Sequence, residues 1–405
     1  MDTADAMFNG RPRQARSRFT AARRKEVQEI RKIGACIRCR ILRKNCGRGT
    51  PCETCKKVLS PRVWKTGCVR SRLNEQLDLY SAGVQVVLSQ NRVNLLKEQL
   101  RLSSNNTMIE VSHFPETGHH AVFKTLIAVL EPTETQATTR ANKEPFPQTV
   151  MIDQAVEDVP EEIERYMRQV LPLFIEREPS KFMRVTLETA NERLVQQEDE
   201  ALRKAVDLWG FVESIDRERQ WTFLERPGAK GEEPGLVKDT HKPEGADVYT
   251  MICMQLNAAA ERKANSTSHT LLSLMDRLLT DSRSKIGFNM FLTALILLNC
   301  IEKSTWAFKA WEQDHLRPGW PLARDPSTFV QQGAELAGLM KMLLAIRKIL
   351  PQTGPNADGK LRAEGVETAI ARYFERLDLD CTYLASLSLF IFIDSECLIL
   401  TLLHR

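Results

Sequence analysis

Apolar positions along this chain change period near residue 158. From there onward they recur at helical spacing: Ile163, Tyr166, Met167, Val170, Leu171 and Phe174 fall on one face, with charged residues on the others. The pattern continues through 181–215, is interrupted by the polar Pro- and Gly-rich stretch Pro227–Gly245, and then predicts helices at about 249–264, 268–282, 286–311, 331–350 and 361–377. Met290–Ile301 is almost continuously apolar, yet shorter than the roughly 20 residues a bilayer demands. With Asn299 at its end and Glu302 beyond, it reads as the central buried helix of this body and not as a membrane span.

Upstream the pattern is different. MIEVSHF and HAVFKTLIAVL, between residues 103 and 131, read as two short strands or as a strand and a helix, followed by a polar, Pro-punctuated linker near 131–148. Before them, Leu88, Leu95 and Leu102 repeat every seven residues, so Leu73–Leu102 predicts a helix. A coiled coil remains open, because Arg92 and Gln99 occupy the companion seam and Gly83 weakens its start.

Cysteine usage changes this picture. Six of the ten cysteines lie between Cys36 and Cys68, spaced C-x2-C-x6-C-x5-C-x2-C-x12-C. Two CxxC half-sites point to metal, since each puts two thiolates on one turn of backbone, near enough to share a zinc at about 2.3 Å. Six thiolates exceed one tetrahedral zinc and fall short of two separate ones. Two ions are satisfied only if two sulfurs bridge. A disulfide scaffold is the competing reading, but MDTADAMFNGRPRQARSR has no apolar signal core, so reduced thiols are expected.

Through Cys36-Ile-Arg-Cys39-Arg-Ile-Leu-Arg-Lys-Asn-Cys46 and Thr50-Pro51-Cys52-Glu-Thr-Cys55 the chain resembles the fungal binuclear zinc-cluster, Zn(2)-C6 type, transcription factors over residues 34–72. The resemblance implies two zinc ions per chain, with Cys36 and Cys52 bridging and Cys39, Cys46, Cys55 and Cys68 terminal. It further implies a nuclear regulator of RNA polymerase II transcription that binds double-stranded DNA, works with transcription machinery or co-regulators, and uses the segment after the cluster to homodimerise. Three departures stand out: the final interval of twelve residues is long, Gly47 replaces a common aspartate, and Leu42 and Asn45 replace commonly basic positions. The usual target triplet of the family is not implied.

Charge supports a nucleic-acid partner independently. Net charge is only +5, but residues 1–72 carry 20 Lys+Arg against five Asp+Glu, leaving an acidic remainder. Such a head binds phosphates with strong salt dependence. Arg43 and Lys44 lie between two metal-anchored points; Arg43 has the fork for a guanine edge, Lys44 a point charge for guanine or phosphate, and both could touch phosphate only. Arg38, Arg40, Lys56 and Lys57 read as phosphate or cluster-charge partners. The arm at 11–32 holds nine basic residues and could follow DNA, direct nuclear import through Arg23-Arg24-Lys25 and Arg31-Lys32, or be a solvated tail. Thr20 offers a helix cap there.

The expected organisation is a basic arm (1–33), a metal-stabilised binuclear zinc-cluster module (34–72), a helical linker or short coiled coil (73–102), a mixed linker region (103–157) and a mostly α-helical regulatory domain (158–405). The module is too small to fold without its metal. His113, His119 and His120 read as ordinary histidines. Trp306, Trp311 and Trp320 read as packing, and Cys253, Cys300, Cys381 and Cys397 as buried thiols. Leu387–Leu403 reads as an apolar helix needing a partner surface. No P-loop, Rossmann fingerprint, GxSxG or HExxH is found, so no enzyme is expected. The alternative function is a zinc-module interaction protein, or a non-specific nucleic-acid binder without promoter specificity.

Overall fold

A computed structural model describes residues 20–58, 67–128, 149–226, 235–237, 248–281, 283–363 and 367–380. The chain divides into two compact units, Met1–Ser71 and Arg72–Arg405.

Among the described residues, the first unit is three helices around the cysteines. Helix α1 (Ala21–Ile33) opens at Thr20, whose hydroxyl accepts the Arg23 N–H as expected of a cap. Two short helices follow, α2 (Ile37–Ile41) and α3 (Glu53–Lys56), each beginning immediately after a cysteine.

The second unit is mostly helical and also contains a five-stranded antiparallel sheet ordered β3-β2-β1-β4-β5. The strands are β1 (Leu102–Ser112), β2 (Ala121–Ala128), β3 (Thr149–Ile152), β4 (Thr222–Arg226) and β5 (Gly235–Val237). MIEVSHF and the start of HAVFKTLIAVL thus form two strands, joined through a Pro115–Thr117 turn that closes on Gly118 at φ 74°. Alternation along β2 buries Ala121, Phe123 and Thr125 and leaves Val122 and Lys124 exposed. The described residues of 103–157 are therefore not a linker. They supply three of the five strands.

Helices α5 (Val159–Glu176), α6 (Lys181–Gln196) and α7 (Glu200–Asp216) start at Asp158, Ser180 and Asp199, whose side chains accept N–H groups of the first turn. On α5 the buried face includes Ile163, Tyr166, Met167, Val170 and Phe174, as the sequence periodicity predicts, while Leu171, expected on the same face, is half-buried. The helices expected at 249–264 and 268–282 are one, α8 (Val248–Thr280). Nothing in Ser266-Thr267-Ser268 breaks it: Ser266 and Ser268 hydroxyls donate back to the carbonyls of Lys263 and Asn265. One face of α8 meets α5 and α7, and other parts meet β3 and helix α4 (Val84–Gln99).

That placement corrects the reading of 73–102. Val84, Val93 and Leu96 of α4 are buried, whereas Leu95 of the supposed heptad seam is 40% exposed and Leu102 begins a strand. Leu73, Leu77, Leu79 and Tyr80 ahead of it are also buried in this unit, and the Ser304 hydroxyl donates to Tyr80 Oη at 3.2 Å. The segment is core, not linker.

Helix α9 (Phe288–Ala310) has every residue from Met290 to Ile301 buried, covered by α6, α7 and α10 (Pro326–Ile346). It is long and apolar enough to cross a membrane, but its apolar surface is already used inside the fold. Helix α10 begins earlier than expected because Asp325 and Pro326 form an N-terminal cap. Residues Leu361–Ala363 are strand β7 and not helix: they pair with β6 (Thr353–Pro355) across an Asn356–Gly359 turn, and α11 runs only from Thr368 to Leu377. The linker near 131–148, most of Pro227–Gly245, Cys381, Cys397 and Leu387–Leu403 lie outside the described residues.

Candidate metal centre and basic head

Cys36 and Cys52 occupy equivalent places. Each stands in extended conformation just before a short helix, and each sulfur accepts the N–H three residues on, from Cys39 and Cys55, at 3.4 Å. A second pair of bonds repeats the relation: the Cys36 N–H donates to Cys46 Sγ at 3.4 Å and the Cys52 N–H to Cys68 Sγ at 3.3 Å. The two half-sites are thus built alike, despite the long final interval.

The halves meet at sulfur. Cys36 Sγ lies 3.7 Å from Cys55 Sγ, and Cys39 Sγ lies 3.7 Å from Cys52 Sγ. The sulfurs of Cys36, Cys39, Cys52 and Cys55 are all within 4.8 Å of one another. A disulfide needs about 2.05 Å, so these are free thiols. Sulfurs bonded tetrahedrally to zinc at about 2.3 Å are about 3.8 Å apart, which is the spacing found. Cys46 adjoins Cys52, and Cys68 adjoins Cys36.

Proton affinities give a second test of fit. Burial pushes the Cys36 thiol far up and the Cys39 thiol up to about 12. Burial also raises Cys52, but the N–H of Cys55 and the neighbouring sulfurs outweigh it and bring Cys52 down to about 6. The protein's own dipoles therefore support a thiolate at Cys52 while burial keeps Cys36 and Cys39 protonated. Bringing Cys36 and Cys39 to thiolate takes a cation, and a soft sulfur set of this spacing suits a divalent ion such as zinc.

Around the sulfurs the loops are tied down by one residue that spacing does not reveal. Arg70 donates to the carbonyls of Gly34 at 2.6 Å, Gly47 at 2.5 Å and Gly49 at 2.7 Å. Thr54 donates to the Asn45 carbonyl, Glu29 of α1 pairs with Arg48, and Ile30 and Ala35 pack on the cysteines. The Thr50–Pro51 peptide is cis.

Among the basic candidates, Arg38 donates to Cys55 Sγ at 3.8 Å, in keeping with a cluster-charge role. Helix α2 ends at Ile41, and Arg43 adopts left-handed backbone at φ 50°, with its N–H on the Arg40 carbonyl. Arg43 and Lys44 consequently stand exposed on a turn between Cys39 and Cys46, and the Lys44 N–H holds the Cys39 carbonyl at 2.9 Å. Arg40 is half-buried. Lys56 and Lys57 are exposed at the end of α3, with Lys56 paired to Glu53 at 2.9 Å.

Other candidates resolve as packing. His113 lies in the bend just after β1 and is buried among Trp221, Phe174 and Tyr166, whose hydroxyl accepts the His113 N–H at 2.7 Å; burial holds its imidazole down to about 3. Trp320 stacks edgewise on Phe308 and Phe329, with Trp311 alongside, while Trp306 is exposed. Cys253 and Cys300 are buried thiols.

A basic module whose cysteine cluster could hold a metal ion thus precedes, in sequence, a mostly helical body. The profile of the KpeA transcription factor family matches residues 130–353, more than half of the chain, and the chain belongs to that family. The match lies in the body and excludes Cys36–Cys68. The chain is 35% identical over 97 residues to the satratoxin biosynthesis SC3 cluster transcription factor SAT20 of Stachybotrys chartarum, covering 24% of this chain and 13% of that one. It is 42% identical over 52 residues to the transcription factor kpeA of Aspergillus oryzae, covering 13% of this chain and 7% of that one. The aligned stretches thus span a small part of either relative. No solved structure matches.

Proposed function

We propose that this chain is a nuclear, zinc-dependent, sequence-specific DNA-binding regulator of RNA polymerase II transcription. Cys36, Cys39, Cys46, Cys52, Cys55 and Cys68 would hold two zinc ions. The observation that carries this reading is the placement of Cys36 and Cys52. Cys36 adjoins Cys39, Cys55 and Cys68, and Cys52 adjoins Cys39, Cys46 and Cys55, so each touches sulfurs of both half-sites, as bridging ligands must. The zinc ions supply thiolate-bound structural charge and no reaction. Arg38 offsets that charge, Arg43 and Lys44 present the reading tip, and Arg40, Lys56 and Lys57 face phosphates. The helical body serves co-regulator contact or homodimerisation.

The test is selection of binding sites from random duplexes by the zinc-loaded chain, with and without chelator. A recovered consensus that vanishes on chelation is the expected result. Salt-sensitive binding with no consensus would leave a non-specific or interaction module instead, a reading to which the exposed Leu42 at the tip lends its apolar side chain.

A further inference from the structure

Helix α1 sorts its charges by face. At 100° per residue, Arg24, Lys25, Gln28, Arg31 and Lys32 share a sector of about 120°. All five are exposed. The two carboxylates of the helix lie outside that sector and are engaged elsewhere: Glu26 accepts from Arg23 at 2.6 Å, and Glu29 pairs with Arg48 in the loop between Cys46 and Cys52. Val27 and Ile30 are half-buried on the opposite side, and Ile30 packs against the cysteine cluster. The helix is seated on the head by one face and presents a carboxylate-free cationic stripe on the other.

That seat matters energetically. A 13-residue helix with no acidic residue in its first turn is marginal alone in water. Its order therefore depends on the Thr20 cap, the Glu29–Arg48 pair and the apolar contact with a cluster whose folding is itself coupled to metal.

We infer that α1 is a phosphate-binding helix of the DNA interface, preformed on the zinc module, which lays Arg24, Lys25, Arg31 and Lys32 along the backbone of the duplex beside the reading tip. The inference rests on the DNA-binding reading above. Charge complementarity selects the occupant: four cations in one stripe fit a continuous polyanion. From Arg24 to Lys32 the helix rises about 12 Å, which faces about three phosphates of one strand at 3.4 Å each.

The experiment compares the zinc-loaded full chain with its Arg24→Gln/Lys25→Gln/Arg31→Gln/Lys32→Gln variant on one selected duplex, from 50 to 200 mM salt. Glutamine keeps helix propensity, and zinc content is measured on both proteins. Each phosphate that the variant no longer neutralises flattens the plot of log K against log salt by about 0.9, so releasing two phosphates makes the variant about tenfold less salt-sensitive over this range. The expected result is that shallower slope, weaker binding and an unchanged base preference. Equal slopes and affinities for two proteins that both bind would overturn the inference alone and assign the stripe to another partner, such as an acidic protein. Absence of salt-dependent duplex binding by the unsubstituted chain would overturn the DNA-binding reading, and this inference with it.

Discussion

Arg70 donates a hydrogen bond to the carbonyl of Gly34, 36 residues earlier, at 2.6 Å. The same guanidinium reaches Gly47 and Gly49, so one side chain joins the entry to the first half-site with the loop between the two. Only a fork with several donors can span these acceptors. Arg70→Ala should weaken the folded head by about 1–3 kcal/mol, read as faster and more complete transfer of zinc to a competing chelator. Arg70→Lys should recover part of that loss and no more. Zinc retention equal to the unsubstituted chain would show the clamp to be ornamental.

Arg43 projects from a left-handed turn fixed between two cysteines, a geometry suited to aiming a single planar group. Arg43→Ala should cost about 1–3 kcal/mol on the selected site and relax preference at one base. Equal losses on selected and random duplexes would reassign it to phosphate.

In the body, Glu261 of α8 accepts the Val86 N–H at 2.9 Å, capping α4 where Gly83 has no side chain to do so. Burial raises this carboxyl from 4.5 to about 7, although N–H groups of Val86, Gln85 and Val84 pull it down. A carboxyl raised in the folded state favours folding most when protonated. Its contribution is complete below about pH 4.5 and is lost as pH rises through about 7. Stability of the chain relative to Glu261→Gln, measured by urea denaturation followed by helical circular dichroism, should fall across that window and level off above it. A difference that stays flat from pH 4.5 to pH 8 would contradict the assignment.

Much of this was legible in the chain, and the reasons for the rest are physical. The cysteine spacing marks the two half-sites because CxxC places two sulfurs on one turn, whereas the 3.7 Å approaches, Cys36 to Cys55 and Cys39 to Cys52, run between half-sites and are set by the fold. The face of α5 and the burial of Met290–Ile301 follow from periodicity. Arg70 left no signal, since its partners are backbone carbonyls of scattered glycines. The leucines at 88 and 95 suggested a seam that the fold does not use, because α8 takes the neighbouring Val93 and Leu96 face instead. Strands β4 and β5 and the β6–β7 hairpin are short and lie beside Pro and Gly, where local pattern carries little information.

The number of metal ions held by the six cysteines is what a bridged cluster fixes most directly. Native mass spectrometry of the full chain at zinc saturation should show two zinc ions, with Cys36→Ser or Cys52→Ser disturbing both and Cys68→Ser chiefly loosening one. A single zinc at saturation in the unsubstituted chain would contradict the bridged cluster.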